Sequence, residues 1–152
     1  MAKMQKFFIV LLRLALGWFM FYAGIIKMLN AGWSAEGYLR SAKTLPELFS
    51  WFLQPGVLPV INFVNEWGLT LLGVSLILGI FVRLSSVLGA VLMLLYYLPI
   101  LKFPIVGEHS YIVDEHVIYI LVLLFFAVLR AGRVWGLDGK LFRRSGISRL
   151  LG

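Results

Sequence analysis

Residues 57–101 read VLPVINFVNEWGLTLLGVSLILGIFVRLSSVLGAVLMLLYYLPIL and contain only two charged side chains, Glu66 and Arg83. A helix needs roughly 20 predominantly apolar residues to cross the hydrocarbon core of a bilayer. The stretch is therefore long enough for two spans, about 57–82 and 84–101, with Arg83 and its neighbours left for the turn. So short a connection predicts a tight antiparallel hairpin of transmembrane helices.

Small residues lie on both sides of the predicted hairpin. Ser75 with Gly79, and Ser85 with Gly89, are small-xxx-small pairs, which allow helix backbones to approach closely in a membrane. Glycine is also more frequent in membrane helices generally. The pattern is thus equally compatible with specific packing and with ordinary composition.

Two further apolar stretches, about 7–29 and 112–129, flank this hairpin. The 152 residues are 61% hydrophobic and 14% charged, with a mean hydropathy of +0.94, which leaves too little polar surface for a soluble protein. No stretch alternates as a membrane β-barrel strand does. Lys3 and Lys6 precede the first stretch, but no signal-peptidase motif follows, so a retained anchor is expected. We predict an all-α fold: residues 1–152 form one integral membrane domain, a four-helix transmembrane bundle.

The segment between the first two spans mixes aromatic and charged side chains. Thr44 followed by Glu47 is a capping-box pattern, which predicts a short helix carrying Leu48, Phe49, Trp51 and Phe52. Such a helix would lie at the membrane interface in the first outer loop and cover whatever lies between the spans. A loop that is merely anchored by its aromatic residues is the alternative.

Basic residues are unequally divided between the two sides of the predicted bundle. One side has Lys3, Lys6, Arg83, Arg130, Arg133, Lys140, Arg143, Arg144 and Arg149, and the other has Arg40, Lys43 and Lys102. The positive-inside rule places the first side in the cytoplasm. We therefore expect an inner or plasma membrane protein with both termini cytoplasmic and a basic tail at 130–152. The net charge of +7 then reflects topology and lipid contacts, and no nucleic acid partner is expected.

Three ionisable residues fall within predicted spans: Arg13, Lys27 and Glu66. Inserting each of these charged side chains into a bilayer costs about 2.5 to 3.5 kcal/mol. Each one should therefore have a partner, reach the membrane interface, or serve a function. Arg13 and Lys27 are the ends of a helical stripe that also contains Gly17, Met20 and Gly24, and this stripe should face protein. Asn62, Glu66, Thr70 and Gly73 form a polar stripe on the second span. Lys27 and Glu66 have similar depth, which predicts an ion pair that either fixes helix register or serves a site.

The fourth span begins near Asp114, Glu115 and His116. Tyr111, Glu115 and Tyr119 share one helix face, whereas adjacent positions differ by about 100°, so the Asp-Glu-His run should not present three ligands together. We expect no metal site, and no haem because His109 lies in a loop. The absence of Cys excludes thiolate chemistry for this chain alone. His116 suits proton exchange near neutral pH, although a simple interfacial role is the alternative.

The chain resembles the DoxX family in several motifs taken in order. These are Arg13-x3-Gly17 and Gly24-x2-Lys27, Glu66 leading into Gly73, the turn from Leu78 to Arg83, His116, and the sequence from Gly132 to Asp138. The resemblance implies a four-helix membrane protein related to the DoxD small subunit of thiosulfate:quinone oxidoreductase. It also implies a quinone-linked or redox-stress role.

Two functions from different classes follow. In the first, the chain is a redox subunit that binds a quinone or similar amphiphile in the outer half of the bundle. His116 and Glu66 would be catalytic, and substrate would bind Lys27, Glu66, Tyr111, Glu115 and Tyr119. A partner protein would supply the electron carrier, which this chain lacks. In the second, the chain is a non-catalytic binding, assembly or carrier protein for a lipid or small solute.

Overall fold

The computed structural model describes residues 1–106 and 110–141, and this part of the chain is mostly helical. In chain order the helices are α1 (Lys3–Leu29), α2 (Glu36–Arg40), α3 (Pro46–Phe52), α4 (Leu58–Leu78), α5 (Val82–Ile100), α6 (Glu115–Leu129) and α7 (Asp138–Leu141), with a 3-10 turn at Ala131–Arg133 between the last two. Strands β1 (Leu101–Lys102), β2 (Ile105–Val106) and β3 (Ser110–Tyr111) pair antiparallel in that order. This small sheet was not predicted, because two-residue strands are too short to show an alternating pattern.

Three of the described helices, α1, α4 and α5, are long and apolar enough to cross a membrane. Helix α6 is also apolar but has only 15 residues. It begins three residues later than the predicted 112, because Asp114 has an extended backbone and caps the helix with its side chain. The prediction that α4 continues to residue 82 is also wrong. Gly79 adopts a left-handed φ of 69° after Leu78, which ends a helix, and Arg83 falls in the first turn of α5.

The long helices pack mainly as two pairs, α1 with α4 and α5 with α6. Both pairs are antiparallel. Gly17 of α1 faces Leu76 of α4, whereas Gly24 faces Thr70. In the second pair Gly89 of α5 faces Leu123 of α6, whereas Tyr96 stacks on His116. The predicted protein-facing stripe of α1 is confirmed, since Arg13, Gly17, Met20 and Gly24 are buried and Lys27 is half-buried. The core between the pairs contains Leu16, Met20, Leu69, Leu72, Leu76, Leu123 and Phe126.

Helices α4 and α5 meet closely at their turn, where the Ser75 and Ser85 hydroxyls lie 2.6 Å apart. Elsewhere an apolar groove with a cavity volume of about 660 Å³ lies between them. Val64 and Leu95 line the end away from the turn, and Ser75 and Phe81 line the end beside it. We call this cavity the α4–α5 groove.

The loop between α1 and α4 contains the predicted short helix, which is α3, but not the predicted capping box. Helix α3 begins at Pro46, since proline favours the first turn of a helix. Its N-cap residue is therefore Leu45, whose side chain has no acceptor to cap the helix. The Thr44 hydroxyl instead donates to the carbonyl oxygen of Leu101 at 2.5 Å. Phe49 of α3 is buried against Ala35 and Leu39, so this loop has a core of its own.

Candidate functional site

Arg13 lies in a buried cluster at the end of the bundle that contains the α4–α5 turn. Arg13 is 2% exposed, and its Nη1 donates to the carbonyl oxygens of Ala131 at 2.7 Å and Val134 at 3.1 Å. Asp138 caps α5 by accepting from the backbone N–H groups of Phe81 at 2.7 Å and Val82 at 3.1 Å. Because these partners are backbone groups, we interpret the cluster as structural.

The chain after α6 is part of this cluster as far as the structure describes it. Leu137 and Asp138 donate backbone hydrogen bonds to the carbonyl oxygens of Leu78 and Gly79, so residues 130–141 pack on the bundle. The rest of the predicted tail, with Arg143, Arg144 and Arg149, lies outside the described residues.

A second polar cluster surrounds a cavity at the opposite end of the bundle. This cavity has a volume of about 230 Å³, and we call it the Lys27 pocket. Its lining combines a few polar groups with aromatic rings: Lys27, Asn65, Ser34, Trp33, Tyr38, Tyr96, Phe49 and Phe52. Loop residues around α2 and α3 supply part of this lining, and α1, α4 and α5 supply the rest. A mostly apolar cavity with a few convergent polar groups is the usual form of a small-molecule site.

Lys27 is the cation of this pocket. Its Nζ donates to the carbonyl oxygen of Ala23 at 3.2 Å and lies 5.4 Å from the ring centroid of Trp33 and 5.9 Å from that of Tyr96. These are cation–π distances. The ion pairs within residues 1–106 and 110–141 do not include Lys27, so the predicted Lys27–Glu66 pair is wrong.

The rotation of the two helices explains why this pair does not form. Gly24 of α1 packs against Thr70 and the carbonyl oxygen of Glu66 on α4. Lys27 follows one turn after Gly24, so Lys27 and Glu66 have similar positions along the axes of the two helices. Glu66 therefore turns its backbone toward α1. The adjacent position, Asn65, is about 100° away around the helix, and it is Asn65 that lines the pocket with Lys27.

Tyr96 connects the polar groups of the pocket. Its hydroxyl donates to Oδ1 of Asn65, and its carbonyl oxygen accepts from the hydroxyl of Tyr38. Burial, together with the negative charges of Asp114 and Glu115, raises the pKa of Tyr38 to about 12. Tyr38 therefore remains a protonated donor at neutral pH.

His116 lies on the other side of Tyr96. The two rings stack with centroids 5.9 Å apart, and His116 Nδ1 lies 2.6 Å from Oδ2 of Asp114. Candidate ligand atoms of Asp114, Glu115 and His116 lie within 4.8 Å of one another. The prediction that the Asp-Glu-His run does not present three ligands together is therefore wrong, because Asp114 is extended and not helical. The prediction that the protein holds no metal stays a prediction.

The other predicted site residues occupy different places. Tyr119 contacts His116 and Phe19, Tyr111 in β3 is 70% exposed, and Glu115 is exposed at the start of α6. Neither these three nor Glu66 and His116 line the Lys27 pocket. His109 lies outside the described residues.

Sequence reasoning missed four of the residues that form the pocket: Trp33, Tyr38, Asn65 and Tyr96. The sequence offered a signal for two of them. Asn65 is a polar residue inside an apolar stretch, and Tyr96 begins a Tyr-Tyr pair where the third stretch ends.

Comparison with known families and proteins gives a family but no individual relative. A family model described as DoxX matches residues 8–100, which include most of α1 and all of the helices from α2 to α5. No curated protein and no solved structure matches the chain.

Proposed function

The chain belongs to the DoxX family, and from this premise we propose that it binds the head of a quinone or similar amphiphile in the Lys27 pocket. The family and the three long apolar helices identify a membrane protein. The observation that carries the proposal is Lys27 itself, a half-buried cation among aromatic rings with no ion-pair partner among the described residues.

We propose four spans, with α6 as the fourth. At about 1.5 Å per residue its 15 residues extend roughly 22 Å, less than the roughly 30 Å of a hydrocarbon core. Short spans are accommodated by local thinning of the bilayer, and α6 packs along α5. In this arrangement the loop with α2 and α3 lies at the outer interface, and the Lys27 pocket opens in the outer half of an inner or plasma membrane.

The orientation of this arrangement is tested by labelling single cysteines in the Cys-free chain. Ser41→Cys, in the outer loop, should react with a membrane-impermeant maleimide on intact cells, whereas Ser148→Cys should react only after permeabilisation. We expect this result because the Lys/Arg asymmetry predicts that both termini are cytoplasmic. Labelling of Ser148→Cys on intact cells would overturn the topology.

The pocket fits a head that accepts hydrogen bonds. Lys27 would donate to a carbonyl or anionic oxygen, and Trp33 and Phe49 would pack against a flat ring.

Reduction of a quinone to a quinol takes up two electrons and two protons, and a redox partner protein would supply the electrons. His116, held by Asp114 behind Tyr96, would hold or release a proton close to the pocket. We therefore expect His116→Phe to change proton-coupled turnover more than binding.

The binding role of Lys27 is tested with the purified protein in lipid nanodiscs. Lys27→Met should weaken binding of menadione, a naphthoquinone head without a tail, on the order of tenfold, because a hydrogen bond from a charged donor is lost. The matched control is Lys102→Met, an exposed lysine, which should bind as wild type does. Equal binding by Lys27→Met and wild type would place the site elsewhere.

Two further results of this experiment distinguish the remaining alternatives. Weaker binding by Glu66→Gln would support the predicted role of Glu66, although Glu66 lies outside the pocket lining. No binding by wild type would favour the second candidate function, a non-catalytic carrier or assembly protein. The absence of Cys, and with it of thiolate-ligated redox centres, is the observation that favours this candidate.

A further inference from the structure

The Lys27 pocket and the α4–α5 groove are adjacent and share part of their lining. Val64, Leu92 and Leu95 line both cavities. The charged and polar groups belong to the pocket, whereas the groove is lined by apolar groups except for Ser75 and Ser85. These two hydroxyls lie 2.6 Å apart at the far end of the groove, and each also lies within hydrogen-bond distance of a backbone carbonyl oxygen, that of Ile80 for Ser75 and that of Val82 for Ser85. A cavity with a few convergent polar groups and an almost entirely apolar groove therefore share one boundary.

From this shared boundary we propose that the α4–α5 groove holds the hydrocarbon tail of the amphiphile whose head occupies the Lys27 pocket. This inference rests on the proposed function, and it specifies the chemical class of the ligand that the pocket binds. The ligand is an amphiphile with a long flexible tail and not a small polar solute. Its tail extends from the pocket toward the α4–α5 turn, where Ser75 and Ser85 lie.

The groove is also open to the surroundings along its length. Two of its lining residues, Leu71 and Leu88, are 57% and 60% exposed, and both belong to helices that are apolar enough to lie in a membrane. A tail can therefore enter sideways from the bilayer. Because lipid is as apolar as the groove, the tail gains affinity from close packing and not from leaving water.

Gly68 provides a substitution that fills the groove without disturbing a backbone contact. It lies on α4 one turn from Val64 and lines the groove, and an added Cβ would meet only Leu92 Cδ2, at 3.6 Å. Gly68→Leu should therefore occupy the space of the tail next to the boundary with the pocket. The matched control is Gly56→Leu, because a Cβ at Gly56 meets no atom within 4 Å and Gly56 lines neither cavity.

The experiment compares menaquinone, which carries an isoprenoid tail, with menadione, in nanodiscs of one lipid composition. Gly68→Leu should bind menaquinone on the order of tenfold more weakly than wild type and bind menadione unchanged. Gly56→Leu should match wild type for both ligands. Partition of the tail into the bilayer is the same for every variant, so the comparison between proteins isolates the groove.

The outcomes separate the groove from the pocket. If Gly68→Leu binds menaquinone as wild type does, the groove does not hold the tail, although the pocket still binds the head. If Gly68→Leu changes the oligomeric state measured by native mass spectrometry, the groove is an interface between copies, and the proposal is overturned. If wild type binds neither ligand, the proposed function fails and the assignment of the groove fails with it.

Discussion

Replacing Arg13 by Met should lower the free energy of unfolding by about 3 to 5 kcal/mol, the cost of removing one member of a buried charged group. The substitution leaves the carbonyl oxygens of Ala131 and Val134 without their donor. It also removes the positive charge that interacts with the carboxylate of Asp138. Equilibrium unfolding in mixed micelles, followed by circular dichroism, measures this loss.

The control for Arg13→Met is Arg40→Met. Arg40 pairs with Glu36 at 2.6 Å, but its side chain is 66% exposed, and exposed ion pairs contribute only about 0 to 1 kcal/mol. Arg40→Met should therefore unfold nearly as wild type does. If the two variants lose equal stability, the cluster around Arg13 does not hold the end of the bundle together.

Gly73→Ala should destabilise the protein by about 1 to 3 kcal/mol, the usual cost of overpacking. An added Cβ at Gly73 would overlap the backbone of Phe21, and backbone cannot move aside as a flexible side chain can. Helices α1 and α4 would have to separate along an interface that also includes Gly17 and Gly24. Unfolding under the same conditions measures the change.

The control for this prediction lies on the same helix. Gly68→Ala adds the same methyl group in ordinary van der Waals contact with Leu92, and alanine is favoured over glycine in a helix by about 0.8 to 1 kcal/mol. It should leave stability unchanged or raise it. Destabilisation of similar size by both substitutions would mean that loss of glycine, and not the contact with Phe21, is responsible.

The features that the sequence predicted well depend on residues that recur at the spacing of an α-helix. The stripe of Arg13, Gly17, Met20 and Gly24 recurs at helical spacing, and all four residues are buried. Helix ends were predicted less well. The charge of Arg83 was taken as the boundary between the second and third spans. Helix α4 ends earlier, at Leu78, because Gly79 adopts a left-handed backbone conformation that terminates the helix.

The candidate site was harder to predict because it depends on helix rotation and on distant contacts. Periodicity places Asn65 and Glu66 about 100° apart, but it does not say which of them faces Lys27. The Tyr38 hydroxyl reaches the carbonyl oxygen of Tyr96, 58 residues away in sequence, and no local pattern indicates such a bond. Lys27 was predicted because a cation within an apolar stretch is conspicuous by itself.

The hydrogen bonds of Arg13 also bear on how the protein is made. They join residues that are 118 and 121 positions apart, and the ribosome delivers the chain from its N-terminus. While residues 131–134 have not yet been synthesised, the guanidinium on the first helix lacks these two carbonyl acceptors. Nη1 gains these acceptors, and the cation gains the nearby carboxylate of Asp138, only after this later part of the chain has been made. A product that stops before residue 131 would therefore leave this cation without them.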